Sequence, residues 1–557
     1  MHRPSGSQAA VVLLWLALAA AVFAAAAPRV DRPGLYYDEA FMGQQARDFF
    51  QPERAARHAA SVREVRLFGR PFPLRNAVYL GSLKSQLLIP SFALFGATPR
   101  VLRLTSLAFG LVGLLFAMLW ARRLLGAPAA CVAGLLLASD PSWTFFSLYE
   151  WGPFTTGLVC RTAGFWCLTR GWSERRSGAL VAGGLLLGLG IYNRADFAVI
   201  LVASAGALVV AAPGVLREAL ADRSRRPALV GAGVALVAGA APMLLSLADL
   251  LTTSASHAIQ QRGGVGEKLR VLWSVLEGSR FYRVIDAGGL FDRMFDAPAP
   301  RSGLGLAAIA AAPVAFVSWL RRGRARDDLD RVSLFLLVAA FATGLGMLAV
   351  PGAVRAHHLL NLMPFPHLLV AAAGAQLWRG VGSRSALVRG GLALALAAIL
   401  AGNVLVVART FDLIERTGGR GRWSDALTAV AREVEAEGTT RVVSLDWGFH
   451  EPLLFLTRRA ELLQPIWRIP VAVRTRGEWR YEGGPRDLYL VHPAEYDLFG
   501  NGPPFLRAAE RLAEREPDAV EIRRYTDREG GLAFLSVRFA RPHLLVRRRS
   551  GFRIHWR

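Results

Sequence analysis

Lysine is almost missing from this 557-residue sequence: only Lys84 and Lys268 stand among 66 basic residues, and the rest are arginine. Against so strong a preference, a retained lysine marks a position to inspect for chemistry. Acidic residues are also few, 42 in all, which leaves a formal charge of +24. In a soluble protein that excess would point to nucleic acid. Here the arginines punctuate long apolar runs, as membrane topology requires, so nucleic acid is not an expected partner. The cysteines, Cys131, Cys160 and Cys167, all lie inside apolar runs. Their placement excludes a disulfide framework or a clustered thiolate site and leaves them as packing thiols. No internal repeat is visible, and no linker is longer than the join from Arg409 to Gly421.

What the sequence does have is apolar length: 53% of its residues are hydrophobic, with a mean hydropathy of +0.32. The runs fall near 9 to 27, 101 to 121, 127 to 147, 153 to 170, 178 to 193, 196 to 212, 228 to 250, 303 to 320, 332 to 350, 359 to 379 and 386 to 408. They predict a mainly α-helical, polytopic membrane protein of about eleven spans. Residues 78 to 98 leave room for a re-entrant segment. The first run also resembles a secretory signal, with an alanine-rich exit at 24 to 27; the spans that follow favour an uncleaved helix. Arg3, Arg122-Arg123, Arg170 to Arg176, Arg217 to Arg226, Arg321 to Arg331 and Arg379 to Arg389 then share one side, the cytoplasmic one. Residues 28 to 100 form a first loop on the opposite, extracytoplasmic face. Within it, Phe41, Ala46, Phe49 and Phe50 recur at helical spacing, as in a helix lying at the interface, and 265 to 276 repeats the device.

After Arg409 charges become frequent and no run is long enough to span. Residues 1–409 therefore read as the transmembrane domain, and 410–557 as a small extracytoplasmic α/β domain of about four strands. The expected location is a bacterial cytoplasmic membrane, with membrane lipids as surroundings.

The polar residues gather on the outer face. Asp38 and Glu39, in Leu35-Tyr-Tyr-Asp-Glu-Ala-Phe-Met-Gly43, follow the first span. A plain reading makes Asp38 a helix cap and Glu39 an answer to the helix dipole. Lys84 leads into an apolar stretch that ends at Gly96, where snorkelling to the interface is the plain reading. Glu150 sits in an aromatic turn, and Asp140, further in, is the alternative second carboxylate. Arg194 lies in a polar break between two thin spans. Arg355, His357 and His358 begin a late span and suit a phosphate or an interface anchor. Asp446, His450 and Glu451 follow a strand without a nucleophile motif, which favours strand-end polarity over hydrolysis.

Tyr-Asp-Glu-Ala in the first outer loop, the Lys84 stretch ending in Leu94-Phe-Gly96, an acid in the second outer turn and the Arg355 to Pro366 segment together resemble the integral-membrane GT-C glycosyltransferases. The likeness is to the protein O-mannosyltransferase and lipid A aminoarabinose transferase branch, and it covers roughly residues 10 to 410 in organisation. It implies that Asp38 is the catalytic acid/base or metal-facing residue, that Glu150 is the second-turn acid, and that Lys84 holds the lipid phosphate. Glu-Trp-Gly-Pro stands where many relatives carry Asp. A divalent metal ion is part of the expectation, held by Asp38 and Glu150 if present.

The residues suit that chemistry on their own terms. Transfer of a hexosyl or pentosyl group from a polyprenyl-phosphate donor needs a base for the acceptor hydroxyl and cations for the departing phosphate. Asp38 suits the first role, with Glu39 and Asp140 in support; Lys84, Arg194, Arg355, His357 and His358 suit the second. A single inverting displacement requires one essential carboxylate. The acceptor is a protein, a lipid or a glycan. The alternatives are a transporter or flippase, which would carry mid-membrane charges and repeat symmetry, and a lipid-linked glycan ligase or polymerase.

Overall fold

The computed structural model describes residues 6–57, 63–246, 264–290, 293–322, 327–350, 356–380, 386–436 and 438–556. In lipid each backbone polar group has to be satisfied within its own segment, so the apolar runs become helices. In chain order, α1 (Gly6–Ala26) leads to α2 (Tyr37–Asp48), a three-stranded antiparallel sheet of β1 (Arg63–Leu67), β2 (Arg70–Ala77) and β3 (Leu80–Gly81), and α3 (Leu83–Phe95). The long α4 (Pro99–Leu125) starts where Thr98 accepts the Val101 N–H and Pro99 takes the first helical position. Helices α5 (Ala127–Ser139) and α6 (Pro141–Leu148) meet at a 59° bend. Pro141 removes a backbone donor there, and the Asp140 carboxylate accepts the Ser142 and Trp143 N–H groups at 2.6 and 3.1 Å.

Five more helices follow: α7 (Phe154–Ser173), α8 (Ser177–Asn193), α9 (Phe197–Ala211), α10 (Pro213–Ala221) and α11 (Arg226–Leu244). Helices α8 and α11 touch through glycines: a Cβ on Gly184 would come within 2.0 Å of the Ala232 carbonyl, and one on Gly188 within 2.1 Å of that of Leu236. The bundle is completed by α12 (Val265–Leu276), α13 (Arg280–Asp286), α14 (Leu304–Arg322), α15 (Asp328–Ala349), α16 (Phe365–Gly380) and α17 (Ala386–Thr417). Among the described residues seven helices are long and apolar enough to cross a membrane, or nine if each bent pair is one span, against the eleven expected. Two expected spans fall outside this count. Helix α7 is diluted by Arg161 and its threonines, and α8, with 17 residues, is short of the roughly 20 that span a bilayer. The last helix runs to Thr417, past the boundary expected at 409.

The C-terminal part comprises α18 (Leu427–Glu435), β4 (Arg441–Ser444), α19 (His450–Leu456), β5 (Leu463–Pro465), α20 (Ile469–Arg476), β6 (Glu478–Gly483), β7 (Asp487–Val491), α21 (Gly502–Arg515), β8 (Val520–Thr526), β9 (Leu532–Phe539), β10 (His543–Arg548) and β11 (Gly551–Trp556). Its eight strands exceed the four expected. They form a mixed sheet in the order β5-β4-β7-β9-β8, with β4 parallel to β5 and β7, and an antiparallel sheet β11-β10-β6. Alternation along the mixed sheet divides the core: Val442, Leu488 and Leu490 pack with α18 and α19, while Val443, Tyr489 and Val491 pack with α21.

The stripe that suggested an interfacial helix in the first loop belongs to the interior. Phe41 and Ala46 of α2 are buried, and the helix packs between α3 and α19. Arg47 donates to the Phe455 carbonyl and Arg54 to that of Thr457 at 3.0 Å. The apolar face is thus covered by the C-terminal domain instead of lipid. On α12, by contrast, Val265 and Leu269 are exposed, while Lys268 donates to the Leu348 and Val350 carbonyls at 2.8 Å, closing the end of α15.

The domains are joined by backbone contact. Gly34 N–H donates to the Trp423 carbonyl at 2.7 Å, and a Cβ on Gly34 would stand 2.2 Å from the Ser424 oxygen. Gly34→Ala is therefore expected to cost about 1–3 kcal/mol through overpacking. The expected readout is a lowered thermal unfolding midpoint together with faster protease cleavage after Thr417.

Candidate active site

Asp38 owes its position to a buried arginine. It is the second residue of α2, whose start is held by Glu39 accepting the Tyr36 N–H at 2.9 Å. Arg103, one turn into α4 and 1% exposed, reaches under this loop and uses all five of its donors. Nη2 and Nε bind the two Glu39 oxygens at 2.5 and 3.0 Å, while the remaining donors meet the carbonyls of Val30, Pro33 and Gly34 at 2.8 to 3.1 Å. The paired charges leave Glu39 a structural anchor and turn its neighbour Asp38 into a cavity of about 520 Å³.

Both domains build that cavity. The membrane domain contributes Tyr36, Tyr37, Tyr79, Trp151 and Arg194, with His357 and His358; the C-terminal domain contributes Arg422, Trp447, Trp467, Arg468 and Phe499. Tyr36 stacks on Trp423 with centroids 4.1 Å apart, and Tyr37 on Trp447 at 4.5 Å. Burial, followed by the charges of Glu451 and Asp38, pushes the Tyr37 hydroxyl far above its usual range, so it remains a neutral donor.

One wall is cationic. Arg194, Asp196 and His358 meet at a single point: Arg194 Nη2 contacts Asp196 Oδ2 and His358 Nδ1, and His358 Nδ1 lies 2.7 Å from the same carboxylate. Arg194 Nη1 also donates to the His357 carbonyl at 3.0 Å. Burial alone would raise the Asp196 pKa, but Arg194 and then His358 outweigh it and hold the group at about 2. Across the cavity, Arg422 donates to the Tyr496 carbonyl at 2.5 Å and lies 3.8 Å from Asp446, which His492 also contacts at 2.7 Å. Arg468 lies 4.6 Å over Trp467 and is matched to no carboxylate among the described residues.

The structure thus brings Asp38, Arg194, His357 and His358 to one cavity, and it places other expected residues elsewhere. Glu150 does not line it. Its Oε2 lies 2.5 Å from Lys84 Nζ, and its Oε1 accepts from the Thr155 N–H and hydroxyl, each at 2.7 Å. Lys84 also donates to Ser106 at 2.8 Å, and both charges are buried. The expected carboxylate pair is thereby replaced by a neutralised Lys84–Glu150 pair behind the wall. With both Glu150 oxygens engaged, the donor set does not fit a metal shared with Asp38, and no cluster of three metal-binding side chains occurs among the described residues. Asp140 is likewise diverted: besides capping α6 it lies 2.8 Å from His367 Nε2. Arg355 is outside the described residues. Arg103 and Asp196 were not among the expected site residues, although an ionisable group one turn inside an apolar span, as Arg103 is, is itself a signal. The C-terminal aromatic residues and arginines carried no motif at all.

Residues 87–245 match the family model described as dolichyl-phosphate-mannose-protein mannosyltransferase. No curated protein matches the sequence. Among solved structures, the fold is similar to ArnT from Cupriavidus metallidurans bound to undecaprenyl phosphate, with a TM-score of 0.54 at 15% identity over 94% of this chain and 97% of that one. The apo form of the same protein matches with a TM-score of 0.50, at the same identity and coverage. The architecture is that of the GT-C membrane enzymes. Within this fold, the mannosyltransferase-type match runs from the middle of α3 to the end of α11.

Removing one member of a buried ion pair strands the other. Lys84→Met is expected to lose about 3–5 kcal/mol, and Lys84→Met with Glu150→Gln to regain most of it. Thermal unfolding of the three proteins in detergent measures the coupling.

Proposed function

We propose that the protein transfers a sugar from a polyprenyl-phosphate donor to an acceptor hydroxyl at the extracytoplasmic face of a bacterial cytoplasmic membrane. The observation that carries this reading is the shared cavity of Asp38 and the Arg194–His357–His358 wall: a base and a cationic cluster at the junction of apolar helices and a polar domain. Asp38 takes the proton of the acceptor hydroxyl as its oxygen attacks the anomeric carbon. The bond from that carbon to the phosphate oxygen breaks, and its electron pair leaves with the polyprenyl phosphate. Arg194 and the histidines hold the charge that develops there, and Arg355 belongs with them in this proposal. One displacement inverts the anomeric centre and needs no second carboxylate in contact with the sugar. Glu150 and Lys84 act as a positioning pair.

The aromatic walls suit the faces of a hexosyl or pentosyl ring. The donor class is supported by the undecaprenyl phosphate bound to the structurally similar ArnT. The outward orientation is supported by the basic ends of the helices, such as Arg122 and Arg123 at the end of α4, which favour the cytoplasmic side. The acceptor is a protein, lipid or glycan.

Asp38→Asn keeps the shape and removes the base. With a labelled undecaprenyl-phosphate sugar and reconstituted protein, turnover is expected to fall by about 10²–10⁴ with insertion intact. Arg194→Ala is expected to weaken donor binding as well as turnover. Undiminished transfer by Asp38→Asn would sink the proposal.

A further inference from the structure

The first loop carries a hairpin that the transfer reading does not use. Leu67 pairs with Arg70 across a two-residue turn, Phe68-Gly69, with φ of 52° and 76°. Such a turn favours Asn-Gly, because a side chain at positive φ crowds its own backbone. Phe68 is nevertheless there, and it is 89% exposed. Val65 and Leu67, at alternate positions on one face of β1, are 44% and 37% exposed. Arg63, Arg66 and Arg70 surround them, with Glu64 the one acid among residues 63 to 70.

The hairpin is firmly mounted. Gln86 of α3 donates to the Pro73 carbonyl and Tyr192 of α8 to that of Leu74, both at 2.8 Å. Strand β2 also packs on α11, a spanning helix whose Val230, Val234 and Val237 face outward. The hairpin therefore stands beside a spanning helix that carries an exposed apolar stripe. Chemistry limits its depth. Among the described residues β1 is the edge of its sheet; an edge strand is ill suited to hydrocarbon, whereas an aromatic tip flanked by arginines suits the headgroup layer.

We infer that this hairpin is a membrane-contact arm: Phe68 inserts at the headgroup boundary while Arg66 and Arg70 engage lipid phosphates of an anionic bilayer. The arm also reaches the cavity, since β2 runs on to Tyr79 and Leu80, and Leu80 bridges Arg194. Membrane contact and cavity wall thus share one rigid piece. The inference does not depend on the chemistry proposed for Asp38.

A nitroxide at Val65→Cys reads this directly, in full-length protein with Cys131, Cys160 and Cys167 replaced by alanine, reconstituted into phosphatidylethanolamine–phosphatidylglycerol nanodiscs. Oxygen is expected to relax the label more than a water-soluble nickel chelate does. Adding Phe68→Asn, which suits the turn better, is expected to reverse that order. A label open to the chelate with Phe68 present would overturn the inference. So would protection from both reagents that depends on two copies per disc, because it would assign the face to a protein contact.

Discussion

A single buried guanidinium, that of Arg103, organises the membrane-side half of the candidate site. Left uncompensated among apolar helices it would be prohibitively costly; satisfied through every donor it becomes a rigid post. The Val30 to Glu39 loop closes around it, since three of its carbonyls and both Glu39 oxygens point inward to the same group. The outward-facing residues follow from that closure. Asp38 faces the cavity, Tyr36 meets Trp423, and Gly34 comes close enough to bond the C-terminal domain. Loop, helix start and domain docking thus depend on one satisfied charge.

The same economy governs the other cations. Lys84 is matched by Glu150, Arg194 by Asp196, and Arg422 by Asp446. Only some of these pairs face the cavity. The Lys84–Glu150 pair lies behind the wall, where it holds α3 to α4 through Ser106 and to the start of α7 through Thr155. Arg194 and its histidine neighbours line the open space, and on the proposed reading an arriving phosphate competes with Asp196 for them. The C-terminal domain adds aromatic faces and Arg468, so it forms part of the cavity.

Much of the architecture was legible because lipid imposes simple rules. Apolar runs became helices, and the charged stretch that follows them holds the strands of the C-terminal part; the bend at Asp140 and Pro141 was missed, because the run from 127 to 147 reads as one continuous span. The α2 stripe was misplaced because periodicity reports an apolar face without saying what covers it; α19 covers this one. Glu150 and Lys84 were each visible as isolated charges, but their pairing depends on how α3 folds back against α4, which spacing does not encode. Asp196, two residues from Arg194, was passed over as part of a turn. The strands of the C-terminal domain were undercounted because several are short or half-exposed, and its cavity residues come from separate loops.

Transfer at this site depends on where a lipid phosphate binds. A structure of the protein with a bound polyprenyl phosphate, determined in a lipid bilayer, tests this most directly. The phosphate is expected within hydrogen-bonding reach of Arg194 and His358, with Asp38 facing the same space. A phosphate seated outside this cavity, with Arg194 still held by Asp196, would contradict this expectation.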